Sequence, residues 1–112
     1  MVEYTEEELD LTFSALSNPT RRDLMERLAR GEATISDLAR PYDMSFAAVS
    51  KHLQVLEAAG LVQRRVEGRE HHLSLKPGQL AAAVDWLTHF KAFWEDSFEA
   101  LEKLIDQDSA DA

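Results

Sequence analysis

Cysteine is absent from all 112 residues. That excludes disulfide staples, thiolate metal sites and thiol nucleophiles. Nothing then requires an oxidising compartment, and a cytoplasmic protein is expected. Glycine and proline are scarce, at four and three residues, so collagen-like and Gly/Pro-rich disordered classes are excluded. Each of these residues instead marks a boundary between elements. No apolar run reaches the length of a membrane span, and Glu3 and Glu6 to Glu8 fill the amino end. Neither a membrane partner nor a cleavable signal peptide is expected. There is no Gly-rich phosphate loop, nucleophile elbow or internal repeat. No nucleophile, base and oxyanion donors occur in a recognisable set, so the chain is not expected to be an enzyme and needs no cofactor. The polar tail Asp106 to Ala112 is expected to fray. A single domain over residues 1–112 follows from the length.

Positive charge is also in short supply, with 12 basic against 21 acidic residues and a net charge of −9. Its distribution is uneven. Residues 1–18 hold five acids and no Lys or Arg, and residues 77–112 hold eight acids and two Lys. Residues 19–44 balance at five of each. Residues 45–76 alone are net positive, with five Lys or Arg against three Glu. Acidic flanks repel a polyanion from every face but one, which lowers non-specific binding. Solubility in a salty medium would also account for the acid.

The positive segment begins with a helix from Ser45 to Gly60. Val49, Leu53 and Leu56 share one face at helical spacing, with Ala59 close by. Ala47, Ser50, Lys51 and Gln54 share the other. This outward face is small, hydrogen-bonding and cationic, as a helix in the DNA major groove requires. Upstream, Thr34 to Ser45 reads as a short helix capped by Ser36, with Ile35, Leu38 and Ala39 toward the core. Pro41 weakens it, Asp43-Met44 forms a turn, and Ser45 caps the next helix. Residues 35–60 thus form a helix-turn-helix.

Residues 61–76 follow as two alternating runs around Gly68-Arg69. Val62, Arg64 and Val66 share one phase of the first, and His71, Leu73 and Leu75 one phase of the second. Arg64, Arg65, Arg69, His71, His72 and Lys76 make this hairpin basic. A basic hairpin directly after such a helix reads as a wing that follows the phosphate backbone. The fold expected is mainly α with a small β-hairpin. It is a dimeric winged helix-turn-helix with four helices, two strands and one last helix in chain order.

This pattern resembles the ArsR family of winged-helix transcriptional regulators, named for arsenical resistance repressors. Ala15-Leu-Ser-Asn-Pro-Thr-Arg-Arg22, Ile35-Ser-Asp-Leu-Ala39, Ser45, Ala48 to Val62 and Gly68-Arg69 carry the match, across roughly residues 9 to 76. The resemblance implies a homodimeric repressor that leaves a palindromic operator when an unidentified effector arrives. Without cysteine it is not of the arsenic-sensing type. The family's last-helix metal motif places an Asp two residues before a His, with a second His some ten residues later. Asp85 and His89 are four apart and no His follows them, so no metal site is expected.

Both ends of the chain read as helices of another kind. Thr5-Glu-Glu-Glu8 is a capping box, and its acids favour the positive helix end. Leu9, Phe13 and Leu16 follow as an apolar stripe, with Leu11 and Thr12 nearby. Asn18 caps a second helix that starts at Pro19, buries Leu24, Met25 and Leu28, and ends at Gly31. Pro77-Gly78 separates the wing from a last helix over about residues 79–106. There Leu80, Leu87, Trp94 and Leu101 recur at sevens, with Phe90 near the companion position. The stripe exceeds what a small core covers, so a partner is implied. Residues 1–18 and 79–106 are therefore the expected dimerisation helices, with Leu9, Phe13, Leu80, Leu87, Phe90, Trp94 and Leu101 in the seam.

The expected DNA contacts are Ser45, Ala47, Ser50, Lys51, His52, Gln54, Arg64, Arg65, Arg69 and His71. His52 is equally readable as a packed helix residue. One of Arg21 and Arg22 is expected to pair with a carboxylate such as Asp23, Glu26 or Asp37. The aromatic cluster around Trp94 reads as dimer and domain core before it reads as a small-molecule pocket. Two alternatives stand beside a DNA-binding repressor. One is a metal-responsive repressor using His, Asp and Glu ligands. The other is a winged-helix module for protein contacts, which would put acids on the outward face of residues 45–58, where only Glu57 is found.

Overall fold

The structure is a computed structural model that describes residues 3–111, with side chains described through residue 107. The chain forms α1 (Glu6–Leu16), α2 (Pro19–Leu28), β1 (Ala33–Thr34), α3 (Ile35–Ala39), α4 (Phe46–Ala58), β2 (Val62–Glu67), β3 (Glu70–Leu75), α5 (Pro77–Thr88) and α6 (Lys91–Asp111). The helix starts follow local chemistry. The Thr5 hydroxyl accepts from the Glu8 amide at 3.1 Å, and Asn18 Oδ1 accepts from the Arg21 amide at 3.1 Å with Pro19 at the first helical position. Ser45 caps α4 through the Ala48 amide at 3.1 Å.

The end of α4 is equally explicit. Gly60 has φ +75°, its amide reaches the Glu57 carbonyl, and the Leu61 amide reaches the Leu56 carbonyl at 3.0 Å. These two bonds are a Schellman stop, which needs a left-handed residue at Gly60. Leu61 and Val62 are thereby delivered, buried, to the start of the sheet. Leu24, Leu38, Val49, Leu53, Leu56, Leu61 and Leu73 fill the core between α2, α3, α4 and the sheet. On its outer side α5 lies against α1 through small residues, with Thr12, Ala15, Ala82 and Ala83 all buried. The Thr12 hydroxyl donates to the Glu8 carbonyl at 2.9 Å, so its burial leaves no unpaired donor.

Several expectations are corrected. The sheet has three strands in the order β1-β3-β2, because Ala33 and Thr34 pair antiparallel with Leu73 and His72. Thr34, not Ser36, caps α3, accepting from the Asp37 amide at 3.1 Å. Residues 40–45 connect α3 to α4, a longer link than the short turn expected. Pro77 and Gly78 are not a break before the last helix but its first turn. That helix is two helices, α5 and α6, parted at His89-Phe90, where the His89 and Phe90 amides turn to the Trp86 and Leu87 carbonyls. The tail expected to fray is helical within α6 as far as Asp111, and Ala112 lies outside the described residues.

Candidate nucleic-acid interface

Ser45, Ala47, Lys51 and Gln54 are exposed on α4, with Ser50 half-buried among them. Beside them the wing turns at Gly68-Arg69, where Gly68 has φ +62° and, among the described residues, no non-Gly residue has positive φ. That is the pattern of a type II′ turn, with Glu67 and Glu70 facing each other across the strands. Arg69 at the tip is exposed and enters no salt bridge among the described residues. One face therefore offers a small polar helix surface and a free cation at the wing tip.

Other expected contacts are already engaged within the chain. Arg64 lies against Glu57, with Nη2 at 2.5 Å from Oε1, and its Nη1 is 3.0 Å from His71 Nδ1. This joins the wing to the end of α4, so Arg64 and His71 act first as a brace. Arg65 reaches Glu67 at 2.7 Å and Glu32 at 2.6 Å. These acids raise its pKa, and Arg65 in turn pulls the Glu67 carboxyl below the usual carboxylate range. His72 stands within 3.4 Å of Glu32 and 3.1 Å of Glu70 in the same exposed cluster.

The Asn-Pro-Thr-Arg-Arg segment has a role that differs from the carboxylate pairing expected. Arg21 donates through Nε to the Ala15 carbonyl at 2.7 Å and through Nη2 to the Ser14 carbonyl at 3.3 Å. Arg22 donates to the Leu16 carbonyl at 2.8 Å. Both arginines thus cap the negative end of α1, which has no basic residue of its own in its last turn. Arg27 does the same for α3 through the Leu38 carbonyl at 2.7 Å, with Tyr42 beneath it and bonded to Asp23. Burial first, and the Asp23 hydrogen bond second, raise the Tyr42 pKa.

Arg21 also lies 3.1 Å from His52 Nδ1. A guanidinium only donates, so the imidazole accepts at Nδ1 and carries its proton on Nε2. Burial, and then the Arg21 charge, lower the His52 pKa. Arg21, Lys51 and His52, with Ala48 and Val55, line a cleft of about 250 Å³ on the side of α4 facing α2. Sequence spacing alone does not bring Arg21 to His52. At the end of α5, the capping His89 has Nδ1 3.0 Å from the Asp85 backbone carbonyl, so the ring lies against the helix it caps.

The expected seam residues separate into two groups. Phe13, Leu87, Phe90, Trp94 and Leu101 are 37 to 52% exposed, and Leu9 is half-buried. Leu80 instead packs, half-buried, against the core of its own chain. Phe13, Trp86, Phe90 and Trp94 form a ladder of edge-on rings with centroids 5.0 to 6.5 Å apart. Trp86, Phe90, Phe93 and Trp94 surround an open apolar cleft of about 450 Å³. No helix among the described residues is long and apolar enough to cross a membrane.

Comparison with known proteins bears directly on this arrangement. A family model described as a helix-turn-helix domain matches residues 16–65. The chain is 38% identical over 102 residues to the HTH-type transcriptional regulator Rv2034 of Mycobacterium tuberculosis, covering 91% of this chain and 92% of that one. It is 31% identical over 78 residues to the transcriptional repressor SdpR of Bacillus subtilis, covering 70% of this chain and 87% of the relative. The crystal structure of an ArsR family transcriptional regulator, RHA00566, superposes with a TM-score of 0.76 at 37% identity, over 85% of this chain and 97% of that one. An ArsR-like transcriptional regulator from Rhodococcus sp. RHA1 superposes with a TM-score of 0.68 at 32% identity, over 88% and 92%. With sequence identity along nine-tenths of the chain and a superposing fold, the chain belongs to the ArsR family of winged helix-turn-helix transcriptional regulators.

Proposed function

We propose that this regulator is a repressor that binds a palindromic operator as a homodimer, with α4 in the major groove and the wing on the flanking backbone. Residues 35–60 serve as the reading unit, residues 61–76 as the wing, and the outer helices as the dimer seam. The observation that carries the reading is the exposed face of Ala47, Lys51 and Gln54, with Arg69 beside it, in a chain that is acidic at both ends. Ser50 and Gln54 supply donors and acceptors for base edges, and Ala47 permits close approach. Lys51 and the Nε2–H of His52 favour phosphate over base. Arg64 and His71 support the site by bracing the wing. Two recognition helices on a two-fold axis require half-sites about one or two helical turns apart, on the order of 34 Å per turn.

The roles divide in a measurable way. Arg69→Ala is expected to weaken binding to operator and random DNA alike and to flatten the salt dependence by about one unit of slope. Gln54→Ala is expected to reduce discrimination between the two DNAs by roughly 1–3 kcal/mol. Titration of both variants against both DNAs at several salt concentrations checks this. If neither variant changes anything, this face is not the DNA-binding surface.

A further inference from the structure

Exposed large apolar side chains fall into two sets. One lies on α1, α5 and α6, where a second copy would cover it. The other lies on the helix-turn-helix and wing, and Phe46, 55% exposed, is its aromatic member. Scattered exposed apolar residues are ordinary on any protein, but the position of this one is not. Phe46 opens α4 directly after the capping Ser45. It stands one turn before Ser50 and two before Gln54 along the same edge of the helix. Its ring adds nothing to the buried core, which α4 serves through Val49, Leu53 and Leu56. Instead it walls a cleft of about 330 Å³, closed on the other sides by Thr34 to Asp37 and by Arg69 to His71.

The amino-terminal residues of a recognition helix are those that reach base edges. At that end this helix carries one bulky apolar group between two polar elements. The major groove has one apolar feature to match it, the 5-methyl group of thymine. We propose that Phe46 is a specificity residue that reads a thymine methyl in each operator half-site. In place of that methyl, cytosine offers only a hydrogen and the purines offer the N7 acceptor, whose burial against the ring without a partner is penalised. This inference rests on the DNA-binding reading above and adds a base preference to it.

Replacing thymine by deoxyuridine removes the methyl and leaves every hydrogen-bonding group in place. The protein would first select its operator from a random duplex pool, and each thymine would then be replaced singly. One thymine per half-site is expected to matter, with a loss of roughly fourfold per half-site. Phe46→Ala is expected to bind the thymine and uracil forms equally, and Phe46→Leu to keep a reduced preference for the methyl. A wild-type protein indifferent to uracil at every position overturns the proposal, as does full methyl sensitivity in Phe46→Ala. Failure to select any duplex would instead sink the DNA-binding reading itself.

Discussion

At the scale of single residues, the structure separates cations that are free from cations that are spoken for. His52 is fixed as a neutral acceptor by Arg21, and its pKa is lowered by burial first and by the Arg21 charge second. The folded pKa therefore lies below that of the unfolded chain, and the unfolded chain takes up the proton first as pH falls. Stability from this pair is present above the unfolded pKa, about 6.5, and is lost as pH drops through the folded value. Thermal melts of wild type and His52→Gln are expected to differ most at pH 8 and to converge toward pH 5. A constant difference across that range would show that His52 does not titrate on unfolding. Arg65 is the opposite case, a wing cation held by Glu32 and Glu67. Converting both to Gln frees it, with the expected result that random-sequence DNA binds more tightly and the salt slope steepens by about one unit. An unchanged slope would remove Arg65 from the set of phosphate contacts.

At the scale of elements, what the sequence makes legible is what local chemistry controls. Thr5, Asn18-Pro19 and Ser45 mark helix starts because each supplies its own acceptor or fixed φ. Gly60 and Gly68 mark turns because both backbones have positive φ, +75° and +62°. What stays hidden depends on distant partners. The two residues of β1 form a strand only because β3 lies beside them, and that pairing moves the α3 cap from Ser36 to Thr34. The apolar repeat runs unbroken through His89-Phe90, so spacing gives no sign that α5 ends there. Arg21 with the α1 carbonyls and Arg64 with Glu57 are tertiary contacts; spacing alone suggests a carboxylate partner for one of Arg21 and Arg22 and a free cation at Arg64. The locally coded stop at Gly60 can be tested directly. An added Cβ there would lie 2.7 Å from Gln79 Cγ, in a backbone that L-residues rarely adopt. Gly60→Ala is expected to cost about 1–2 kcal/mol in urea unfolding. Gly78→Ala, with open space around it, is expected to be neutral or slightly stabilising.

At the scale of the whole molecule, the chain is long for its size, with principal extents of 62 × 38 × 21 Å. The cause is α6, whose described side chains are all exposed, including Phe93, Trp94, Phe98, Leu101, Leu104 and Ile105. Most of a helix's stability in a protein comes from tertiary packing of its apolar face, and α6 leaves that face exposed. An apolar stripe of this extent on a monomer is also larger than soluble proteins usually show. Both costs vanish if a second copy covers α6 together with Phe13 on α1 and the Trp86–Phe90–Trp94 ladder. The amino acids themselves favour this over a polar contact, because the ladder is aromatic throughout. Trp94→Glu would put a carboxylate on each copy into that seam, and an unpaired buried charge costs several kcal/mol. Sedimentation at micromolar concentration is expected to show a wild-type dimer and a Trp94→Glu monomer. Helical circular dichroism should fall in the variant as α6 loses its cover, while the buried core around Leu53 and Leu73 stays folded. Operator binding should fall with it, since one α4 reaches a single half-site and loses the gain of two linked contacts. A wild-type monomer at that concentration, with helix content intact, would mean that α6 is stable without a partner and that the dimer seam lies elsewhere or does not exist.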